Sequence, residues 1–350
     1  MDGRVPGRRV PVSARTLYFT APQTVAVRRH TLPEPSPDEV RVQTLVSAIS
    51  AGTEGLLYRG DAPSNLPADS ELETIDGDFS FPLSYGYATV GEVTAVGENV
   101  AESWLERRVF AYVPHQSHFC VAPDELLVVP DNISTREAAL VANLETAVTF
   151  LLDGAPLLGE RVTVLGQGVV GLLTTALLAE MPLETLVTFD AHERRRQRSE
   201  SLGADESLDP TVTGIRDGVE AVAGKRADLT YELSGNPDAL DGAIAATGFD
   251  GRVIVGSWYG TKPTTLDLGG HFHRDRLEIS SSQVSTIDPS LRGRWSRERR
   301  HEVVWDWLRQ LEIDPLLTHE FSLEEADQAY ELLEERPDEA IQVLLTYGTD

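Results

Sequence analysis

The sequence predicts an α/β fold joined to a β domain, in which a barrel-like β domain is followed by a doubly wound parallel sheet. Three observations lead to this prediction. Short β-rich runs separated by Pro/Gly turns fill residues 16–130, strands and helices alternate from Arg161 onward, and a glycine turn joins the first of those strands to its helix. The length of 350 residues suits two domains.

The first domain is assigned to residues 16–135. Its β-rich runs are "VRVQTLVSAI", "YATVGEVTAVG", "RRVFAYV", "SHFCVAP" and "ELLVVP". Residues 1–15 are basic and Pro/Gly-rich without the apolar centre of a signal peptide, which predicts a frayed leader. Residues 61–80 are polar and contain prolines, so we expect a long loop beside the binding site.

The second domain is assigned to residues 136–290. Ser134 and Glu137 form a capping-box pattern that predicts one helix over "REAALVANLETAVTFLLDGA". The strands "RVTVLG", "LETLVTFD", "LTYELSG" and "GRVIVGS" then alternate with helices, which is typical of βαβ units. Residues 291–350 end in the helix "SLEEADQAYELLEERP" and the strand "AIQVLLTY", which we expect to return to the first domain.

Composition excludes several classes of function. The net charge is −26, the acids are dispersed and only two residues are lysine, which suits either a protein adapted to high salt or an acidic mesophilic enzyme. This charge argues against nucleic acid as a partner. No apolar run approaches ~18 residues, so no membrane span is expected. Cys120 is the only cysteine, which excludes intrachain disulfides and favours a cytoplasmic location.

The turn Gly166-Gln167-Gly168-Val169-Val170-Gly171 predicts a dinucleotide site, because it follows a strand and opens a helix. Gly166 permits the tight turn, Gly168 lets the backbone approach a pyrophosphate, and Gly171 lets helix and strand pack closely. Val169 and Val170 begin the helix, whose N-terminus would face the phosphates.

Asp190 ends the next strand in "VTFD", where an acid accepts hydrogen bonds from ribose hydroxyls and repels a 2′-phosphate. This favours NAD as the cofactor. NADP stays open, because Arg194, Arg195 and Arg196 follow in "HERRR" and include candidate phosphate ligands.

With both halves considered, the chain resembles the medium-chain dehydrogenase/reductase superfamily, the zinc alcohol dehydrogenase fold, from about Thr16 to Tyr347. The motifs that carry the resemblance include "AGTE", "FPLSYGYATVGEVTAVG", "SLGADESLD" and "ELSGNPDAL". The resemblance implies a GroES-like β-barrel catalytic domain, an inserted Rossmann domain and an active-site cleft between them. It also implies a homodimer built by edge pairing, for which "GRVIVGS" is a candidate strand.

The family's catalytic zinc uses three protein ligands, and this sequence matches none of them. Ala51 stands at the first ligand position, Tyr87 at the second and Ala142 at the third. We therefore expect no zinc. A narrower likeness, carried by "SAISAGTEGLLYRGD" and "FPLSYGYATVG", is to a zinc-lacking branch that includes hydroxyethyl-bacteriochlorophyllide dehydrogenases.

Without a metal, hydrogen-bond donors must polarise the substrate oxygen and move its proton. Thr53 stands where the family keeps a relay hydroxyl, although it could equally cap a turn. Tyr87 is either a donor to the substrate oxygen or packing in the metal's place. Glu54 either orients Thr53 or an arginine, or forms a structural salt bridge. Thr146 matches the position that contacts the nicotinamide, and nearby Glu145 is a candidate for facing the cleft.

His115 and His118 form the clustered histidine pair of the first domain. One interpretation of this pair is a metal site, and the other is that each histidine hydrogen-bonds locally.

The leading hypothesis is a zinc-independent NAD(P)-dependent oxidoreductase that acts on a small-molecule alcohol or carbonyl substrate. One alternative is an NADPH-dependent quinone or enone C=C reductase. The other is a protein that binds a nucleotide without catalysis.

Overall fold

The computed structural model describes residues 11–64, 66 and 78–348. Most of the predicted leader and most of the predicted loop at residues 61–80 therefore lie outside the described residues. Residues 12–15, which the sequence analysis assigned to the leader, are instead part of a strand that pairs antiparallel with its neighbour. Ala14 is fully buried and Arg15 is also buried, so this segment packs as part of the fold.

The amino-terminal part is dominated by strands. Its elements are β1 (Val12–Ala21), β2 (Thr24–Leu32), β3 (Val40–Ala48), α1 (Ala51–Arg59), β4 (Thr89–Val96), β5 (Arg108–Ala111), β6 (His118–Val121) and β7 (Leu126–Val128). Helix α1 stops at Gly60, which has a φ of 80° and closes the helix in the left-handed conformation that favours glycine.

The second part alternates helices and strands. Its elements are α2 (Thr135–Ala138), α3 (Val141–Gly154), β8 (Arg161–Leu165), α4 (Val169–Ala179), β9 (Thr185–Phe189), α5 (Glu193–Ser201), β10 (Glu206–Leu208), α6 (Ile215–Ala223), β11 (Ala227–Glu232), α7 (Ala239–Ala246), β12 (Thr247–Val255) and β13 (Glu278–Ser281). Two further helices and two further strands follow: α8 (Arg297–Leu308), β14 (Leu317–Ser322), α9 (Ala326–Glu335) and β15 (Gln342–Thr346).

The single helix predicted after Ser134 is two helices. Ser134 does form the predicted capping box with Glu137. The helix ends after one turn, however, and Leu140, with φ −88° and ψ 4°, separates α2 from α3. Leu140 is fully buried, so tertiary packing rather than a Gly or Pro signal in the sequence determines the break.

The strands from β8 to β13 form one six-stranded parallel sheet in the order β10-β9-β8-β11-β12-β13. The order of strands reverses between β8 and β11, and ligands of such sheets bind outside the carboxyl ends of the strands at that point. β12, suggested as a dimer edge, is interior to the sheet, because β13 pairs along it. The edge on this side is β13.

A second, seven-stranded sheet joins residues from both ends of the described chain, in the order β14-β15-β3-β4-β5-β7 with β6 paired to β3. β15 pairs antiparallel with β3. One apolar cluster connects this sheet to α3, α4 and α8, through residues such as Val90, Leu144, Leu172 and Val304. The cluster includes Val169 at the start of α4 and so fixes the glycine turn against α3 and this sheet.

None of the helices in the described ranges is both long and apolar enough to cross a membrane.

Candidate active site

The glycine turn lies at the point where the parallel sheet reverses its order. Gly166 has a φ of 90°, and a Cβ there would lie 2.4 Å from the Ser234 Cα at the end of β11. A Cβ at Gly171 would lie 2.0 Å from the Gly166 carbonyl oxygen. By contrast, a Cβ at Gly168 meets nothing within 4 Å. Gly166 and Gly171 are thus required by the fold, whereas Gly168 borders open space.

The N-terminus of α4 has the features of an anion site. Gly168 is its N-cap, and no side chain in the described residues caps it. The first-turn N–H groups, which include those of Val169 and Val170, therefore point into the space beside Gly168 without a side-chain acceptor. These residues fit the pyrophosphate of a dinucleotide, since a helix N-terminus attracts negative charge.

Asp190 lies at the carboxyl end of β9, next to this turn, and is only 7% exposed. Its Oδ2 accepts a hydrogen bond from the Gln167 N–H at 2.7 Å, and its Oδ1 accepts one from the His192 N–H at 2.8 Å. The carboxylate therefore stabilises the glycine turn. It also lies where the sequence predicts an acceptor for the ribose hydroxyls of the cofactor.

The three consecutive arginines of α5 donate hydrogen bonds to main-chain carbonyls. Arg194 donates to the Glu339 carbonyl at 2.7 Å, and Arg195 donates to the Pro337 and Ala340 carbonyls at 2.7 and 3.1 Å. Arg196 donates to the carbonyls of residues 190 and 191. Arg195, predicted as a cofactor ligand, is instead tied to the chain that leads into β15, and its Nη1 lies 3.9 Å from Asp190 Oδ2.

Three hydroxyl groups meet at the start of α1. The Tyr87 hydroxyl donates to Ser50 Oγ and lies 3.3 Å from Thr53 Oγ1. Ser50 is the N-cap of α1, and its own N–H donates to Glu54 Oε1 at 2.7 Å. All three hydroxyl-bearing residues are partly exposed. Sequence reasoning missed Ser50, although its place beside the "AGTE" motif was a usable signal.

Glu54 is fully buried and does not orient Thr53 or an arginine. Its Oε2 instead lies 3.0 Å from His115 Nε2 and accepts a hydrogen bond from the Tyr330 hydroxyl. Burial raises the pKa of Tyr330 well above its usual value, as does the Glu54 charge. Glu54 therefore fixes the first turn of α1 from beneath.

His115 belongs to the same buried network. Its Nδ1 lies 2.7 Å from Ser47 Oγ. A Cβ at Gly86, which has a φ of 127°, would lie 2.8 Å from the His115 ring, so only glycine leaves room for the imidazole. His118 hydrogen-bonds locally to Ser117 at 3.1 Å. The two histidines thus have separate partners and do not form a pair.

Helix α3 places Thr146 and Glu145 on different sides. The Thr146 hydroxyl donates to the Ala142 carbonyl at 2.9 Å and the side chain is partly exposed. Glu145 does not face the cleft: it is 4% exposed and lies 2.6 Å from Arg300 and 3.0 Å from His301. Burial alone would raise the pKa of Glu145, but the His301 hydrogen bond and the Arg300 charge hold it below its usual value.

The residues at the zinc-ligand positions do not fit a zinc ion. Ala51 and Ala142 offer no ligand atom, and Tyr87 uses its hydroxyl within the Ser50–Thr53 group. Across the described ranges, no group of three or more His, Cys, Asp or Glu side chains is arranged to hold a metal ion. No step that requires zinc is derived from these residues.

The fold and the glycine turn are those expected of a dinucleotide-binding protein, and comparisons with known proteins point to dehydrogenases. A family model described as zinc-binding dehydrogenase matches residues 169–298. D-guloside 3-dehydrogenase of Escherichia coli K12 is 22% identical over 95% of this chain and all of its own length. Sorbitol dehydrogenase of Rattus norvegicus is 26% identical over 63% of this chain and 57% of its own.

Solved structures share the architecture. An alcohol dehydrogenase (rspB) from Escherichia coli CFT073, complexed with NADH, has a TM-score of 0.79 at 19% identity and covers 95% of this chain and 99% of its own. The 2R,3R-butanediol dehydrogenase of Bacillus subtilis has a TM-score of 0.78 at 18% identity with the same coverage. The predicted fold class is confirmed. The sequence and fold are similar to those of medium-chain dehydrogenases/reductases, and the named relatives support an alcohol dehydrogenase-like oxidoreductase.

Proposed function

We propose that this oxidoreductase interconverts an alcohol and its carbonyl with NAD and without zinc. The observation that carries the proposal is the position of the Tyr87 hydroxyl, which joins Ser50 and Thr53 where the superfamily's metal ligands would stand. The "GTE" motif at residues 52–54 supports a zinc-lacking branch.

The cofactor site is formed by α4 and the end of β9. The N-terminus of α4 would hold the pyrophosphate beside Gly168, and Asp190 would accept hydrogen bonds from the ribose. Thr146 lies at the position assigned to the nicotinamide end. NAD, when bound, supplies the acceptor for a hydride from the substrate carbon.

The three hydroxyls at the start of α1 manage the substrate proton. The Tyr87 hydroxyl donates its one proton to Ser50, so a bound alcohol would donate to the Tyr87 oxygen. Once the proton has moved, Tyr87 donates to the substrate oxygen and stabilises the negative charge that develops there. During oxidation the alcohol proton passes to Tyr87, directly or through Thr53, as Tyr87 passes its own proton to Ser50, and the partly exposed Ser50 releases a proton to solvent. Ser50 accepts from Tyr87, which fixes the orientation of the phenol.

NAD is favoured over NADP by the electrostatics of α5. Arg194 and Arg195 donate to carbonyls of residues 337–340 and Arg196 donates to carbonyls of residues 190 and 191, so each guanidinium already has acceptors. Asp190 brings a negative charge to the ribose end, which repels a 2′-phosphate. A 2′-phosphate would have to displace these contacts as well.

The test is cofactor-dependent turnover on a panel of alcohols in molar salt, with metal analysis of the same sample. We expect NADH formation that survives a chelator and exceeds the rate with NADP. Stoichiometric zinc together with loss of activity on chelation contradicts the metal-free mechanism. Preference for NADPH and for C=C substrates contradicts the assignment of an alcohol substrate.

A further inference from the structure

Glu232 ends β11 at the carboxyl edge of the parallel sheet and is fully buried. Its Oε1 accepts hydrogen bonds from the Ser234 N–H at 2.9 Å and from the Ser234 hydroxyl, and its Oε2 accepts one from the Tyr259 hydroxyl at 2.5 Å. Glu54 and Glu145, also buried, have a histidine and an arginine as ion-pair partners. Glu232 forms no ion pair with a described Lys, Arg or His side chain, so its charge is held by neutral donors alone.

The groups around Glu232 match an ionised carboxylate, which only accepts hydrogen bonds. The Ser234 N–H can only donate, and the Ser234 hydroxyl oxygen already accepts from the Asn236 N–H at 3.1 Å. Burial raises the pKa of Tyr259, and the neighbouring charge of Glu232 raises it further. The phenol therefore keeps its proton and donates it to the carboxylate.

This carboxylate lies at the dinucleotide site. Ser234, two residues further on, has its Cα 2.4 Å from the place where a Cβ at Gly166 would stand. The strand order is β9-β8-β11, so Asp190 after β9 and Glu232 at the end of β11 lie on opposite sides of the glycine turn. With the adenosine ribose at Asp190 and the pyrophosphate beside Gly168, the nicotinamide half of the cofactor extends to the β11 side.

The charge is fixed in a rigid setting, because Glu232 connects the loops that follow β11 and β12. Ser234 belongs to the first loop and Tyr259 to the second. The Gly235 N–H also donates to Ser257 Oγ at 2.8 Å, and the Ser257 N–H donates to the Glu232 carbonyl at 3.2 Å. A fixed charge that water does not surround acts more strongly on its neighbours than a charge in solvent.

The two forms of a nicotinamide cofactor differ in charge at the ring. The ring is positively charged in oxidised NAD and neutral in NADH. A buried negative charge on the nicotinamide side of the site therefore stabilises the oxidised form relative to the reduced form.

We propose that Glu232 supplies the negative charge that makes this site favour oxidised NAD over NADH. Stabilising the oxidised form makes bound NADH a stronger hydride donor. In that direction the hydride goes to the carbonyl carbon and a proton from the hydroxyls at the start of α1 goes to its oxygen, which gives the alcohol and oxidised NAD. Glu232 thus favours carbonyl reduction over alcohol oxidation on the protein. The inference rests on the proposed function, since it requires the cofactor at the glycine turn.

The test compares the dissociation constants of oxidised NAD and NADH for the wild-type chain and for Glu232→Gln, by calorimetric titration in molar salt. Glutamine keeps the shape and an acceptor oxygen but removes the charge. We expect the ratio of the constant for oxidised NAD to that for NADH to rise by about tenfold. Molar salt screens the exposed carboxylates of this acidic chain, whereas a buried charge is screened much less.

Two further variants separate the charge from the hydrogen bonds. Asp238→Asn, at an exposed carboxylate on the same edge of the sheet, is the matched control and should leave the ratio unchanged. Tyr259→Phe removes one hydrogen bond to Glu232 and keeps its charge, so it should not raise the ratio.

The outcomes separate the two proposals. A ratio that falls or stays the same in folded Glu232→Gln, including equal weakening of both forms, overturns the charge inference and leaves the dinucleotide site standing. Failure of the wild-type chain to bind either form overturns both. If Glu232→Gln does not fold, the wild-type chain decides: the inference requires it to bind oxidised NAD at least as tightly as NADH in molar salt, and tighter binding of NADH overturns it.

Discussion

The Tyr87 hydroxyl lies 3.3 Å from Thr53 Oγ1, which joins the segment before β4 to the first turn of α1. Two residues separated by 34 positions in the chain thus place their hydroxyls together at the edge of the cleft. In the proposed mechanism this contact takes the place of a metal ion.

Removing both hydroxyls should slow the chemistry without preventing cofactor binding. For Thr53→Val combined with Tyr87→Phe we expect kcat to fall by about a hundredfold or more, the size typical of lost general acid–base catalysis. NADH affinity should stay unchanged, as measured by fluorescence titration. Tyr18→Phe, at a tyrosine whose ring packs on Arg28, is the control. Unaltered turnover in the double variant rules out the proton relay.

Gly168→Val should abolish dinucleotide binding in a folded protein. A Cβ added at Gly168 meets nothing within 4 Å, and Gly168 has a φ of −66°, so we expect the substitution to cost little in stability. It does fill the space that the pyrophosphate needs. Titration with NADH measures the loss, and Gly293→Val, also at a position with nothing within 4 Å, is the control. Retained affinity contradicts the assignment of the phosphate site.

Asp190→Ala should weaken NADH binding and reduce the preference for NADH over NADPH. The ribose loses its acceptor, and the repulsion of a 2′-phosphate disappears. We expect the ratio of the two dissociation constants to change by about tenfold, with some loss of thermal stability because Gln167 loses its hydrogen-bond acceptor. An unchanged ratio shows that Asp190 only braces the turn.

Glu145→Gln should destabilise the protein strongly at neutral pH, by about 3–5 kcal/mol, because Arg300 is 2% exposed and would keep a buried charge without its partner. The folded-state pKa of Glu145 is lowered. Its stabilisation is therefore present above the unfolded value of about 4.3 and is lost as the pH falls through the lower folded value.

Urea unfolding of both proteins between pH 7 and pH 3 measures this dependence. We expect the difference in unfolding free energy to shrink toward the acidic end. A difference that stays constant with pH points to a packing effect of the substitution instead of the ion pair.

Thermal stability should rise with salt. The net charge of −26 is spread along the chain, and the screening length falls from about 10 Å at 0.1 M to about 3 Å at 1 M. Melting curves in potassium chloride from 0.1 to 2 M test this expectation, and a flat dependence argues for an ordinary acidic enzyme.

The sequence was most informative where local geometry carries the signal. The glycine turn, the alternation of strands and helices and the Ser134 capping box are all local patterns, and the structure contains each of them. Hydrogen-bond partners that are distant in the chain could not be predicted from the sequence. Glu54 is 61 positions from His115 and 276 from Tyr330, so no spacing rule predicted the buried network beneath α1.

The contact between Phe79 and Trp258 likewise could not be predicted from the sequence. Phe79 and Trp258 meet only because loops of the two sheets come together, and neither residue stands out in a periodic pattern. The break between α2 and α3 likewise follows from the burial of Leu140 and not from a helix-breaking residue.

Because β15 pairs with β3, the seven-stranded sheet can be completed only after residues 342–346 have been synthesised. Ser47 on β3 hydrogen-bonds Tyr347 just past β15, a residue made 300 positions later. The parallel sheet is complete in sequence well before that, so it can fold while the nascent chain still lacks the strand that the other sheet needs. Until translation reaches residue 346, residues 46–48 of β3 lack a partner strand on the side that β6 covers at residues 40–43, and a chaperone would protect this short edge.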